Sequence, residues 1–500
     1  MDVKTYTTLD ATAIAELIQR HEMQPSEFLQ LAFRRLEAVN PSLNAVVQQR
    51  KDRVMAEADT VAMDRLFSGV PLLLKNLTQS IAGEELNASS RLMQATISQQ
   101  DATIVSTFRE AGFLLMGHSN APEFGLKNIT EPALYGPARN PWNTNHSPGG
   151  SSGGSAAAIA SGVVPAAGAS DGGGSIRIPA SFTGLFGLKP TRGRTPVGPG
   201  AGRQWQGAAI DFALSKSVRD SAAILDNLQV VQPEAAFQTP LFAGNYLKKV
   251  TEPFTKPLRI AFTTESPVGT PVSGEAREAV RKTVKWLAEQ GHHVEEQAPD
   301  IDGVDLMRHY YMMNSGEIAA LGENLAKTIG RPLTENDLEL ETWLLNTAGQ
   351  SVSAADYSIS LGAWDQAAAR MAAFHETYDL YLTPASAFPA PEVGELTYSQ
   401  ERQAVLREQM HQLDKHEQQD LIYDVFLPSL TYTPFSQLAN LTGQPAMSVP
   451  VHTTASGLPL GVQFMTGKGQ EDLLLKLAGD MEKTDVWAGM RGNPYMTQAD

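Results

Sequence analysis

Ser147-Pro-Gly-Gly-Ser-Ser-Gly-Gly-Ser-Ala-Ala-Ala-Ile-Ala160 and Ala166-Ala-Gly-Ala-Ser-Asp-Gly-Gly-Gly-Ser-Ile-Arg177 are the two runs on which the reading of this chain turns. Gly, Ser and Ala dominate both, as they would in a flexible spacer. The helix-favouring segment 156–160 and the apolar segment 163–167 are nevertheless interleaved with the glycines, so the runs predict a helix and a buried strand joined by tight loops. A serine after consecutive glycines is open to close approach by a ligand. Successive backbone N–H groups in such a loop can also converge on one developing negative oxygen.

Outward from these runs, short apolar segments alternate with helical periodicity. Segments 70–74, 113–116, 257–263, 380–383, 445–450 and 460–464 read as strands. Segments 103–111, 273–290, 303–376 and 471–482 read as helices. Residues 9–39 read as two helices, with Pro25 in a first turn and Asn40-Pro41 as a stop. The alternation predicts an α/β fold: a large mixed, mostly parallel twisted sheet covered by helices on both faces. No linker or repeat divides the chain, so residues 1–500 are expected to form one domain, with a catalytic core at about 65–215 and a mainly helical insertion at about 303–425.

Composition narrows the function. The formal charge is −16, so the long-range field repels phosphate backbones and anionic lipid, and neither nucleic acid nor membrane is an expected partner. No apolar run approaches the ~20 residues of a membrane helix, and the N-terminus shows no secretory pattern, which makes the cytoplasm the expected location. The absence of cysteine rules out disulfides, thiolate metal sites and a cysteine nucleophile. The glycines lack the Gly-Lys-Ser/Thr ending of a P-loop, and no serine is followed by lysine three positions later.

A serine nucleophile needs a proton acceptor, and two candidates stand out: His146, just before the first run, and Lys75, at the end of an apolar strand. A lysine could act as base only if burial favoured its neutral form, which predicts activity rising toward alkaline pH. Gly149-Gly-Ser-Ser-Gly153 also fits the G-x-S-x-G elbow of α/β-hydrolases, which would make Ser151 the nucleophile and require a downstream Asp and His.

Residues 147–192 as a whole closely resemble the amidase signature. Gly69-Val-Pro-Leu-Leu-Leu-Lys75, Gly117-His-Ser-Asn-Ala-Pro-Glu-Phe-Gly125, Tyr135-Gly-Pro-Ala-Arg-Asn-Pro-Trp142 and Gly443-Gln-Pro-Ala-Met-Ser-Val-Pro450 resemble further blocks of that family, in family order. The resemblance implies Lys75 as base, Ser151 as a bridging serine after an unusual cis peptide, and Ser175 as the acylated nucleophile. It implies an oxyanion hole from the N–H groups of Gly172, Gly173, Gly174 and Ser175. Asp171 and Arg177 would form a structural pair fixing the loop, and His146 would have no catalytic part. The implied reaction turns a small amide into carboxylate plus amine or ammonia through an acyl-enzyme, and calls for no metal or organic cofactor.

Ser152 and Ser155 read as loop-ordering hydroxyls. Ser152, Tyr310 and Asn314 are also candidates for contact with substrate, the latter two within a stretch 308–316 that includes Tyr311 and Met312. Homodimers are common among soluble enzymes, and a homodimer stands as one candidate assembly.

Within the family, one alternative is the glutamine-hydrolysing component of the glutamyl-tRNA amidotransferase, a glutaminase that works together with a partner chain. That glutaminase carries an acidic residue ahead of its Asn-Leu-x-Gly block, whereas Thr431-Tyr-Thr-Pro-Phe-Ser-Gln-Leu-Ala-Asn440 has none. Leu74-Lys-Asn-Leu77, Asn87-Ala-Ser-Ser90, Thr130-Glu-Pro132 and Arg331-Pro-Leu-Thr334 are instead most similar to the aminohexanoate cyclic-dimer hydrolases. Asn76 is a departure, since many members carry Asp after the lysine.

Overall fold

The computed structural model describes residues 1–497. Its strands are β1 (Val46–Gln49), β2 (Pro71–Lys75), β3 (Leu114–Ser119), β4 (Ala166–Asp171), β5 (Gly187–Lys189), β6 (Ile210–Ser215), β7 (Arg259–Phe262), β8 (His293–Glu296), β9 (Leu380–Pro384), β10 (Ala446–Thr453) and β11 (Pro459–Met465). They form two sheets, ordered β1-β3-β2-β4-β6 and β5-β10-β11-β9-β7-β8. A single bridge, Phe186 to Ser215, joins the β5 edge of one to the β6 edge of the other.

The sheets are mixed, with parallel pairing confined to β3-β2-β4 and β9-β7-β8. The remaining ladders are antiparallel, including the β10-β11 hairpin, so the expectation of a mostly parallel sheet is corrected. Strand-helix alternation signals parallel pairs, but a short turn back between two strands does not show in that pattern.

Local sequence explains the central strands. Every residue of β2 and β4 is buried, as expected of strands covered on both faces. The small residues of β4 admit close neighbours: a Cβ on Gly168 would stand 2.0 Å from Gln79 Oε1, which accepts the Lys75 N–H at 2.9 Å. One apolar cluster runs through both sheets, from Leu72 and Leu115 to Leu382, Val449 and Val462.

The span 303–425 carries the helices Gly303–Ile329, Leu340–Gly349, Ala354–Thr377 and Gln400–Gln412 and most of Lys415–Tyr432. Between them lies β9, a member of the second sheet. These helices have their own apolar core around Tyr311, Leu344, Leu345, Ile422 and Phe426.

Asn40-Pro41 does not stop its helix, which runs from Pro25 to Leu43 and ends at Asn44 with φ +47°. Pro41 falls near the C-terminal end of the helix, and Asn40 Oδ1 accepts the N–H groups of Ala45 and Val46, each at 2.9 Å. No helix among the described residues is long and apolar enough to cross a membrane.

Candidate active site

The carboxyl ends of the parallel strands β2 and β4 carry Lys75, Ser170 and Asp171, the end of an open α/β sheet where ligands bind. Beside them, the helix Gly153–Ala160 begins just after Ser151, and the helix Arg177–Thr183 just after Ser175. The strand ends face the helical core across a cavity of about 280 Å³, lined by Ser151, Ser170, Gly172, Gly173 and Ser175 on one side and by Tyr310, Tyr311, Asn314, Phe426 and Leu430 on the other.

Lys75 is fully buried, and its Nζ lies 2.7 Å from Ser151 Oγ and 2.8 Å from Ser170 Oγ. The Gly150–Ser151 peptide is cis. Burial lowers the Lys75 pKa to about 7, against the opposing pull of the Asp211 and Asp171 carboxylates. Asn76 turns away from this group and donates to Asn87 Oδ1 at 2.8 Å and Ser89 Oγ at 3.3 Å. His146 bonds the Ala390 carbonyl at 2.9 Å and does not line the cavity.

Asp171 and Arg177 hold the loop 172–176 from beneath, both fully buried. Asp171 accepts from Arg177 Nε at 3.0 Å and from its NH2 at 2.9 Å. Burial would raise the Asp171 pKa, but the guanidinium holds it well below the ordinary carboxylate range. Arg177 also donates to Ser436 O, Gln463 Oε1 and Asn440 Oδ1, tying the loop to the far end of the chain.

The expected oxyanion donors need one correction. Gly174 N–H donates to Asp171 Oδ1 at 2.7 Å, so it serves the loop rather than the cavity. Gly172 and Gly173 line the cavity. Their carbonyls are clamped by Tyr310 Oη at 2.9 Å and Ser436 Oγ at 2.6 Å. A trans peptide points its N–H opposite its carbonyl, so the Tyr310 bond fixes the direction of the Gly173 N–H.

Gly174 has φ +125°, and a Cβ there would stand 2.3 Å from Ser436 Oγ. Gly174→Ala is therefore expected to cost about 2 kcal/mol or more of stability in chemical denaturation, because both the backbone and Ser436 would have to move.

Of the residues expected to meet substrate, Tyr310 and Asn314 line the cavity, and Trp205 Nε1 donates to Asn314 Oδ1 at 2.6 Å. Burial pushes the Tyr310 hydroxyl up to about 12, so it remains a donor. Ser152 is corrected: it lies under the loop, fully buried, donating to the Ser170 carbonyl at 3.2 Å, and does not reach the cavity. Met312, in the same expected stretch, also lies off the cavity lining.

Sequence reasoning missed Ser170 and Asp211. Asp211 pairs across the β4-β6 ladder with Ser170 and is buried. It accepts from Thr78 Oγ1 and Gln204 Nε2, each at 2.6 Å, so it fixes two residues of the cavity wall. Burial raises its pKa against those bonds and the nearby Lys75 charge. The alternation in segment 210–215 signals a strand, but its place beside β4 shows only in the register of the folded sheet.

The family model described as Amidase matches residues 27–475. The chain is 38% identical to a lipoamidase of Enterococcus faecalis over 95% of its own length, and spans 63% of that longer protein. It is 35% identical to a 6-aminohexanoate-cyclic-dimer hydrolase of Paenarthrobacter ureafaciens, over 96% of each chain. The solved structure of a 6-aminohexanoate cyclic dimer hydrolase superposes with a TM-score of 0.87 at 34% identity, covering 96% of this chain and 97% of that one. With the same fold and nearly the full length aligned, this chain belongs to the amidase signature family and is an enzyme that hydrolyses carbon-nitrogen amide bonds.

Proposed function

We propose that the chain cleaves small-molecule amides through an acyl-enzyme on Ser175, with Ser151 as proton relay and Lys75 as base. The observation that carries this reading is the 2.7 Å contact between a buried Lys75 Nζ and Ser151 Oγ, on the wall of a cavity that Ser175 also lines. A neutral lysine has a lone pair. It accepts the Ser151 proton as Ser151 takes the proton of Ser175 and Ser175 Oγ attacks the carbonyl carbon.

The negative oxygen that develops falls to the N–H groups of Gly172, Gly173 and Ser175. The relay then reverses, delivering the proton to the departing amine, and water attacks the acyl-enzyme along the same path to release the acid. The cavity suits an uncharged acyl group, since Leu77, Phe124, Leu126, Ile178, Tyr311 and Phe426 supply most of its apolar wall. Segment 431–440 contributes Thr433 and Gln437 to the lining, and neither carries a charge to hold an amino group. That favours a stand-alone amidase over the amidotransferase glutaminase.

The test is an amide panel of glutamine, a linear aliphatic amide, an aryl amide and a cyclic amide, with mass spectrometry of the protein during turnover. Acyl mass on the peptide containing Ser175 is expected. Acyl mass on Ser151 instead would overturn the assignment.

The pH profile follows from the lysine. Lys75 must be neutral to act, and its pKa is about 7, so kcat/KM should rise with pH through about 7 and level off above it. This departs from the expected rise toward alkaline pH, because with the lysine lowered to about 7 the rise ends near neutrality. An acid limb centred near ~10, where an ordinary lysine titrates, would show that burial does not tune this group.

A further inference from the structure

The two carboxylate oxygens of Asp211 hold different parts of the site. Oδ1 accepts the Thr78 hydroxyl at 2.6 Å, and Thr78 lies on the turn that leaves β2 just after Lys75. Gln79, the next residue, accepts the Lys75 backbone N–H on its Oε1 at 2.9 Å, and its Nε2 donates to the Ala169 carbonyl at 3.1 Å and to Asp211 Oδ1 at 3.4 Å. Asp211 Oδ2 accepts from Gln204 Nε2 at 2.6 Å, and Gln204 opens the short helical turn Gln204–Gly207.

Both ends of this clamp need holding. Trp205 and Gln206 have φ of +50° and +52°, left-handed values that strain a non-glycine residue and persist only where neighbours impose them. Gln204 ties that turn to β6, while Trp205 and Gln206 bond Asn314 and Glu317 on the helix Gly303–Ile329. Gln204 and Trp205 line the active-site cavity, as Thr78 does across from them. At the other end, a base serves the relay only while its Nζ stays within bonding distance of Ser151, and small displacements of a reacting group lose rate steeply.

Charge adds to geometry. Donors on both oxygens suit the ionised form of Asp211. The carboxylates that face Lys75 are those of Asp211 and Asp171, and both favour its protonated form against burial. Asp171 is paired with Arg177, whereas the groups that hold Asp211, namely Thr78, Gln79 and Gln204, are neutral.

We propose that Asp211 is a positioning residue for the reaction at Ser175: one buried carboxylate sets both the end of β2 that carries Lys75 and the turn that places Trp205 in the cavity wall. The proposal rests on the triad reading above.

Asp211→Asn keeps the shape and removes the charge. On an amide that wild type cleaves, kcat is expected to fall about 10–10²-fold. The acid limb of kcat/KM should move to lower pH than in wild type, because protonated Lys75 loses an attracting charge. A merely structural role would leave that limb in place. Thr78→Val should lower kcat with KM within about threefold, and Thr78→Ser, which keeps the hydroxyl, should stay ahead of it. Gln204→Met should act mainly on KM. An acid limb unmoved in Asp211→Asn overturns the proposal. Should that variant not fold, equal kcat in Thr78→Val and Thr78→Ser overturns it. Labelling of Ser175 by a fluorophosphonate uses the same base without an amide. If wild type cleaves no amide, the amidase reading fails, and the pH profile of labelling in Asp211→Asn against wild type decides the role of Asp211.

Discussion

Ser175→Ala is expected to lower kcat on any amide the wild type cleaves by at least about 10⁴-fold, with folding unchanged in circular dichroism. Ser175 lines the cavity, so under the proposed mechanism its truncation takes away the attacking atom and little besides. Lys75 differs because its Nζ bonds two hydroxyls inside the protein. Lys75→Met keeps the packing and removes the base, so a loss of similar size is expected there. Ser151→Ala removes only the relay and should cost about 10²–10⁴-fold.

The decisive measurement is the double variant Ser175→Ala/Lys75→Met. Groups that act as one unit lose activity together, so the double should be no slower than the worse single. Multiplying losses would mean that Lys75 and Ser175 act independently. Full activity in Ser175→Ala would return the nucleophile to Ser151 and the elbow reading.

The candidate site was legible where it is local. Residue types in the glycine-rich stretch argue for a serine open to attack and a loop of converging N–H groups, whereas the separate roles of Ser151, Ser175, Asp171 and Arg177 came only from the resemblance to the amidase signature. A charged residue ending the buried run Pro71–Lys75 marked Lys75 as a candidate base beside His146, and the resemblance to the family chose between the two. Ser170 and Asp211 were not legible, because a serine and an aspartate in short strands are ordinary until the β4-β6 register sets them side by side. The same holds for Ser436, Asn440 and Gln463, which meet Arg177 across more than 250 residues of chain. Strand β1 and the edge strand β8 also escaped notice: they are four residues each and only partly buried, so their patterns are weak.

Arg177→Met is expected to destabilise the fold by about 3–5 kcal/mol in urea titration at neutral pH, because it strands the Asp171 carboxylate in the interior. The guanidinium reaches four residues from one buried position, and they come from the nucleophile loop, the segment before β10, and β11. Arg177→Lys keeps the charge but lacks the planar fork and should recover only part of the loss. The pH dependence separates charge from packing. Asp171 titrates well below the ordinary carboxylate range in the wild type, so its contribution is complete above about 4, the unfolded value, and is lost only as pH falls through the lower folded one. Without Arg177, burial dominates and the folded pKa rises, so acid unfolding should begin at higher pH than in the wild type. An acid midpoint unchanged in Arg177→Met would mean that the pair does not hold Asp171 ionised. Asp171 also accepts the Gly174 and Ile176 N–H groups, so the same variant should lose turnover beyond its loss of stability, as the loop around Ser175 relaxes.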